Sequence, residues 1–207
     1  MVTLYHATPD DLRRLKEEPV YEKWYPGYQT APLTPEVFDS KDLIIFDIFE
    51  TTYERGEMGK ADPEKPSKHY WESVQNGRLR EGLIEFLKHH RSKGKKLVLR
   101  SADFGEYGLN LLFGPPLNLG QYLDRYFTDD YMSYPTHNHP ELEDKLPWWT
   151  VDLGRIVKEM GFSPEQAIHV DDGVWASSSL YHGVDMAMVP KFSEHPEFSF
   201  RSLMPAS

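Results

Sequence analysis

The chain has 207 residues, with 33 acidic and 23 basic side chains and a formal net charge of −10. This balance argues against binding nucleic acid or an anionic membrane through the overall field, because both need positive charge. The absence of cysteine excludes disulfides, zinc–thiolate sites and thiol nucleophiles. Any bound metal would therefore have oxygen or imidazole ligands, which favours a hard ion such as Mg²⁺.

The sequence has no targeting or membrane signal that we recognise. No apolar run approaches the roughly 20 residues that a membrane span needs, and residues 1–16 lack the apolar core of a secretory signal. We therefore expect a cytoplasmic protein that contacts neither membrane nor nucleic acid. Its oligomeric state stays open.

The chain divides into three parts by composition. Residues 1–40 contain five prolines and scattered aromatic residues, which predict an extension packed on the core, with a short helix over residues 9–18. Residues 41–192 are regular and form the predicted catalytic domain, and residues 193–207 form a C-terminal tail.

Apolar runs alternate with amphipathic segments from residue 41 onward. The predicted elements, in chain order, are a strand at 43–46, a helix at 78–91, strands at 96–100 and 126–127, a helix at 151–160, and strands at 167–170 and 184–189. Strands that alternate with helices are typical of an α/β fold, a doubly wound parallel sheet with helices on both faces.

Polar residues follow three of these strands: Asp47, Ser101 and the pair Asp171-Asp172. In a sheet of this kind ligands bind beyond the C-terminal strand ends. If the strands before Asp47 and Asp171 are neighbours, their carboxylates need a cation to stay charged together, and an oxygen-ligated Mg²⁺ would suit them. Such an ion would also allow an aspartate to attack an anionic phosphate.

This ordered set of motifs resembles the haloacid dehalogenase (HAD) superfamily, most of whose members are magnesium-dependent phosphatases. The family's Asp-x-Asp-x-Thr motif is matched by residues 47–51, which read Asp-Ile-Phe-Glu-Thr. Its strand ending in Ser or Thr is matched by Ser101, its Lys ahead of a helix by Lys145, and its acidic pair by Asp171-Asp172. The resemblance covers about residues 41–192 and is strongest to small phosphatases with little or no cap.

The resemblance implies a role for each matching residue. Asp47 would be the nucleophile and a metal ligand, and Mg²⁺ would also be bound by the backbone carbonyl of Phe49 and by Asp171 and Asp172. The residues implied to contact the phosphoryl group of the substrate are Thr51, Ser101 and Lys145, and Thr51 would also orient the loop after the nucleophile.

The sequence departs from the family at Phe49, where the usual residue is an aspartate that acts as general acid and base. A phenyl ring cannot transfer protons, and losing such a group typically lowers a rate by about 10²–10⁴-fold. Glu50 and Glu54 are the candidates to replace it as proton carrier. The sequence therefore predicts a phosphatase for a phosphorylated small molecule or phosphoprotein. The alternative is a catalytically weak binding or scaffold protein.

Two further alternatives concern other residues. Lys158 competes with Lys145 for the role of the catalytic lysine. His137 and His139 have a spacing that a zinc site could use, but they lie in a polar, proline-flanked segment for which we predict a surface loop.

Overall fold

The computed structural model describes residues 2–6, 30–56, 72, 74–101, 113–114, 117–127, 132–133, 150–173 and 182–205. The predicted helix at residues 9–18, the segment with His137 and His139, and Lys145 lie outside these residues. Within the described ranges, no helix is both long and apolar enough to cross a membrane.

The elements follow the predicted order, with additions at the N-terminus and after the first central strand. The first half contains β1 (Thr3–Tyr5), β2 (Thr30–Pro32), α1 (Pro35–Asp39), β3 (Leu43–Asp47), β4 (Tyr53–Glu54), β5 (Arg78–Leu79), α2 (Leu83–Ser92) and β6 (Lys96–Arg100). The second half contains β7 (Arg125–Phe127), β8 (Met132–Ser133), β9 (Thr150–Val151), α3 (Leu153–Glu159), β10 (Ala167–Asp171) and β11 (Asp185–Met188). Short 3₁₀ helices occur at Leu119–Gln121, Pro164–Gln166 and Phe200–Leu203.

Seven strands form the main sheet in the order β2-β1-β11-β10-β3-β6-β7. The five strands from β11 to β7 are parallel, which confirms the predicted doubly wound α/β fold. At one edge, β1 and β2 add two antiparallel strands. These strands were not predicted from the sequence, because three residues are too few to display the alternating pattern of a strand.

The two faces of the sheet are covered by different helices. On one face Ile44, Phe46, Leu97 and Leu99 pack in a cluster with Leu83, Phe86 and Leu87 of α2. On the other face Leu43, Ile45 and Val98 pack with Leu153, Ile156 and Val157 of α3. Because both faces are buried, β3, β6 and β10 consist mainly of apolar residues.

Helix α2 begins later than the predicted residue 78. Arg78 and Leu79 instead pair with Glu54 and Tyr53 in an antiparallel two-stranded sheet. The helix starts after Gly82, which has a left-handed φ of 74°, and a Cβ there would lie 2.6 Å from the backbone nitrogen of Arg201. Glycine therefore suits this position both for its φ and for the close approach of the C-terminal segment.

Candidate active site

The polar residues predicted to meet at the C-terminal sheet edge come from three adjacent strands. Strand β3 lies between β10 and β6, so Asp47 at its end has Asp171 on one side and the end of β6 on the other. This arrangement confirms that the strands before Asp47 and Asp171 are neighbours. Ser101 follows β6 and is buried, and its backbone N–H donates to the Phe127 carbonyl at 3.0 Å.

Three carboxylates cluster at this edge. One oxygen from each of Asp47, Asp171 and Asp172 lies within 4.8 Å of the other two. Asp171 is fully buried and Asp47 is only 8% exposed. Close carboxylates in a buried position repel one another and lose hydration, so the site needs positive charge.

Part of that charge comes from Arg100, a residue that the sequence analysis did not identify. Its Nη1 lies 2.9 Å from Oδ1 of Asp47, and its Nη2 donates to Oδ2 of Asp171. Its Nε donates to Nε2 of His169 at 3.1 Å, so this histidine carries its proton on Nδ1. The guanidinium side chain is 1% exposed. Arg100 is thus a buried counter-ion that joins two of the three carboxylates.

Strand geometry explains why Arg100 points into the site. Arg100 is paired in register with Asp47, and successive side chains of a strand alternate between the two faces. Arg100 therefore lies on the same face of the sheet as Val98 and as its register partner Asp47. His169 and Asp171 of β10 lie on this face as well. A charged residue that directly follows three apolar ones in a buried strand was the sequence signal for this role.

The electrostatics differ among the three carboxyl groups. Burial by itself raises the pKa of Asp171, but Arg100 and hydrogen bonds outweigh it and hold that pKa below its usual value. Burial raises the pKa of Asp47 to about 7, although Arg100 opposes the shift. Burial and the neighbouring Asp171 charge raise the pKa of Asp172 to about 8.

The remaining charge fits a divalent cation. With the three carboxylates ionised, the cluster carries three negative charges and Arg100 supplies one positive charge, which leaves two unbalanced. Burial and, to a smaller extent, the charge of Asp171 raise the pKa values of Asp47 and Asp172, and a bound cation would oppose both effects. Both oxygens of Asp171 already have partners, Arg100 and the backbone N–H of Gly173 at 3.1 Å. The oxygens of Asp47 have partners as well, but Asp47 and Asp172 keep some solvent exposure whereas Asp171 has none, so Asp47 and Asp172 are the better candidate ligands.

Solved structures of known proteins share this fold. A hydrolase from Streptococcus pneumoniae TIGR4 is 13% identical, and the match covers 76% of this chain and 97% of that one with a TM-score of 0.52. A predicted phosphoglycolate phosphatase from Haemophilus somnus 129PT is 11% identical, with 79% and 95% covered and a TM-score of 0.50. Other matching structures include proteins described as HAD-superfamily hydrolases, a phosphoserine phosphatase and a putative β-phosphoglucomutase.

The chain has the HAD-like fold. Comparison with protein-family models gives no match, and neither does comparison with curated proteins. The structural likeness establishes the fold alone, because the sequence identities to the HAD structures are low. The activity is inferred from the residues of the site.

The loop after the HAD nucleophile position is tightly wound. The backbone N–H groups of Thr52 and Tyr53 both donate to the Ile48 carbonyl, at 2.9 and 2.8 Å. The hydroxyl of Thr52 donates to the Asp47 carbonyl at 2.9 Å. The hydroxyl of Thr51 donates to Oδ2 of Asp47 at 3.3 Å. Thr51 therefore contacts the Asp47 carboxylate, and its predicted roles in orienting this loop and binding the phosphoryl group stay predictions.

Phe49, which the sequence resemblance matches to the acid–base aspartate of HAD phosphatases, has an aromatic and cationic environment. Its ring centroid lies 6.4 Å from that of Tyr53, and the guanidinium of Arg55 lies 4.1 Å from the ring centroid. The ring also packs against the core cluster on the α2 side of the sheet.

The speculative replacement of this aspartate by Glu50 or Glu54 is not supported, because both carboxylates have structural partners. Glu50 accepts hydrogen bonds from the backbone and hydroxyl of Ser193, at 2.8 and 2.6 Å. Glu54 pairs with Arg78 at 2.6 Å. These contacts direct the two carboxylates toward the C-terminal segment and β5.

The catalytic lysine of the HAD motif stays a prediction, because Lys145 lies outside the described residues. Its competitor Lys158 is exposed on α3. Lys191, which the sequence analysis did not consider, lies close enough to Asp172 for its charge to oppose the rise in the pKa of that carboxyl group. It lies three residues after β11, where no family motif marks it.

Proposed function

We propose that this protein is a Mg²⁺-dependent phosphate-ester hydrolase that uses Asp47 as its nucleophile. The observation that carries the proposal is the group of three carboxylates at the ends of adjacent parallel strands, in which Arg100 balances only one of three negative charges. A HAD-like fold supports the same chemistry, since solved proteins with this fold include hydrolases and phosphatases.

Asp47 and Asp172 would hold the ion, together with the backbone carbonyl of Phe49. Asp171 would contribute through a bridging water or by keeping Arg100 in place, because its oxygens are engaged and its side chain is fully buried. When bound, Mg²⁺ neutralises charge between the nucleophile and the phosphate and fixes the phosphoryl group for attack.

The proposed reaction has two displacements. A carboxylate oxygen of Asp47 forms a bond to phosphorus while the bond from phosphorus to the ester oxygen breaks, and the departing oxygen takes its proton from solvent water. A water molecule then forms a bond to phosphorus and gives up a proton to solvent while the bond between phosphorus and Asp47 breaks, which releases inorganic phosphate and restores the Asp47 carboxylate. Thr51, Ser101 and Lys145 would bind the phosphoryl group. Lys191 is a second candidate for the positive charge that stabilises the transition state.

Phe49 sets an expectation about the substrate's leaving group. An alkyl alcohol needs a proton as it leaves, whereas an aryl alcohol leaves readily without one. We therefore expect the protein to hydrolyse alkyl phosphates about 10²–10⁴-fold more slowly than aryl phosphates. Replacing Phe49 with Asp should raise the alkyl rate.

The substrate is proposed to be a bulky phosphorylated molecule, such as a phosphoprotein or a modified sugar. The support is the short connection between β4 and β5, residues 55–77, which is too short for a helical cap domain. An uncapped site would leave room for a large group beyond the phosphate.

The test measures phosphate release from an aryl phosphate by the purified protein, with and without Mg²⁺. Turnover should require Mg²⁺ and disappear in Asp47→Asn. Lys145→Ala and Lys191→Ala, assayed side by side, identify the lysine that acts on the phosphoryl group. Lack of turnover with activated and alkyl esters alike would rule out the phosphatase proposal.

A second candidate function is binding without efficient turnover. Two observations favour it: the ion pair between Arg100 and Asp47, which engages the nucleophile, and the phenyl ring at position 49. Beryllium fluoride, which mimics a phosphoryl group on an aspartate, separates the two functions. A binding protein would be stabilised by Mg²⁺ and beryllium fluoride but would release no phosphate from any ester.

A further inference from the structure

A second cluster of metal-binding residue types lies at the opposite end of the sheet. Asp39 ends α1, and His89 and His90 lie in the last turn of α2. Both helices end close to the N-terminal ends of β3 and β6, whereas the candidate active site lies beyond the C-terminal ends of these strands. One ligand atom from each of the three residues lies within 4.8 Å of the other two.

His90 is the unusual member of this cluster. It is 1% exposed, and neither of its ring nitrogens has a hydrogen-bond partner in the part of the chain that the structure describes. Its ring packs 4.3 Å from Phe86 and 5.7 Å from Phe38, measured between centroids. A buried polar atom without a partner costs about 1–3 kcal/mol, so a phenylalanine would serve this packing better than histidine does.

His89, the residue before His90, also has a buried ring nitrogen, Nε2, without a hydrogen-bond partner among the described residues. The rings of His89 and His90 are perpendicular, with centroids 5.0 Å apart. Burial lowers the pKa of His90 to about 4, so its ring is neutral near pH 7 and has a lone pair to offer.

Asp39 supplies the negative charge. It is exposed, and its Oδ1 lies 2.6 Å from Nζ of Lys93. The ammonium group of Lys93 therefore already forms an ion pair with one carboxylate oxygen on the exposed side of the cluster. Lys93 would compete with any metal ion for this carboxylate.

We propose that Asp39, His89 and His90 form a binding site for Zn²⁺ or a similar divalent transition-metal ion. Two imidazoles and one carboxylate are ligands that Zn²⁺ accepts, with water as a fourth ligand, whereas Mg²⁺ prefers oxygen ligands alone. The site would join the end of α1 to the end of α2 and is separate from the proposed Mg²⁺ site.

Closing this site around an ion requires only small movements. Tetrahedral ligands about 2.0–2.1 Å from Zn²⁺ lie about 3.3 Å apart, compared with separations of up to 4.8 Å in the cluster. The exposed side chain of Asp39 can move by this amount, and Lys93 can turn toward solvent. His90 is already held in place by Phe86 and Phe38.

The test is a titration of the full-length, untagged protein with Co²⁺ after treatment with a chelator and in the presence of excess Mg²⁺. Tetrahedral Co²⁺ with nitrogen ligands produces visible absorption bands, and Zn²⁺ should displace it and abolish them. We expect one ion per chain. His90→Phe should abolish the bands while keeping the aromatic packing. Asp39→Asn should weaken binding by at least the roughly 10- to 100-fold that loss of an outer-shell partner costs, because Asp39 is itself a proposed ligand.

Lys93→Met gives the sharpest comparison, because it removes the competing cation and leaves all three ligands. It should strengthen Co²⁺ binding, whereas a purely structural role of the cluster predicts no change. A double variant, His137→Ala with His139→Ala, controls for binding elsewhere and should match the wild type. The proposal fails if the wild type does not bind Co²⁺ or if His90→Phe and Asp39→Asn bind it as tightly as the wild type does.

Discussion

Nη1 of Arg100 lies 2.9 Å from Oδ1 of Asp47 at the buried centre of the candidate active site. The other oxygen of this carboxylate accepts a hydrogen bond from Thr51. The proposed nucleophile is therefore oriented from two sides before any metal or substrate binds. Because Arg100 also contacts Asp171, a change at Arg100 affects both the nucleophile and its acidic neighbour.

Replacing Arg100 with Met should destabilise the protein severely in the presence of a chelator. The variant leaves Asp47 and Asp171 buried together without a counter-ion, and such changes cost about 3–5 kcal/mol. Urea unfolding measures the loss, and Mg²⁺ should restore part of it. Arg125→Met is the matched control. Arg125 pairs with Glu159 at 3.1 Å and is half-exposed, so its loss should cost at most about 1 kcal/mol. Equal losses in both variants would contradict the role given to Arg100.

Replacing Asp172 with Asn should abolish the stabilisation by Mg²⁺ without lowering the stability of the metal-free protein. The raised pKa of Asp172, about 8, means that its ionised form is disfavoured in the folded metal-free protein. At pH 8 and above, a neutral side chain should leave the Tm in chelator unchanged or higher. The rise in Tm that Mg²⁺ produces in the wild type should disappear, and turnover should fall with it. Glu81→Gln changes an exposed carboxylate that pairs with Arg201 and should respond to Mg²⁺ normally.

Mg²⁺ should stabilise the protein more at pH 8 than at pH 6. The pKa values of about 7 for Asp47 and about 8 for Asp172 lie above those of unfolded aspartates, so the folded state binds these protons more tightly. Their contribution to stability is full below the unfolded pKa of 3.8 and is lost progressively as the pH rises to about 7 for Asp47 and about 8 for Asp172. Mg²⁺ must displace these protons at pH 6, which lowers its apparent affinity by about tenfold per pH unit for each proton. Tm measured with and without Mg²⁺ checks this, and a shift that is larger at pH 6 would contradict it.

His90 should make the metal-free protein sensitive to acid. Burial lowers its pKa to about 4 from 6.5, so the unfolded state binds a proton more readily than the folded state. Its contribution to stability is full above about pH 6.5 and is lost as the pH falls toward 4. Urea unfolding in chelator should show a smaller loss between pH 6.5 and 4.5 for His90→Phe than for the wild type. Identical pH profiles would show that His90 is not buried in the neutral form.

Much of the central fold could be predicted from local pattern. Leu43–Phe46 is a continuous apolar run and Ala167–Val170 is apolar apart from His169. Both segments are followed by aspartate, and such runs are typical of strands buried on both faces. The acidic ends of β3 and β10 followed from the same reasoning, because parallel strands place their C-terminal ends at one edge of the sheet. The start of α2 was predicted too early, because the pairing of Arg78 and Leu79 with β4 is a contact distant in sequence.

The sequence by itself determined the order of the central strands and helices and the candidate carboxylates Asp47, Asp171 and Asp172. Only the tertiary structure decided what balances their charge. Arg100 ends an apolar strand, and its local sequence is equally compatible with an exposed strand end. Its role depends on strand register. Arg100 is paired with Asp47 on the neighbouring strand and lies close to Asp171 two strands away, and its side chain therefore forms buried ion pairs with both. Long-range pairing also brought β1 and β2 to the sheet edge, because segments so short gain their stability from the neighbouring strand and not from their own residues.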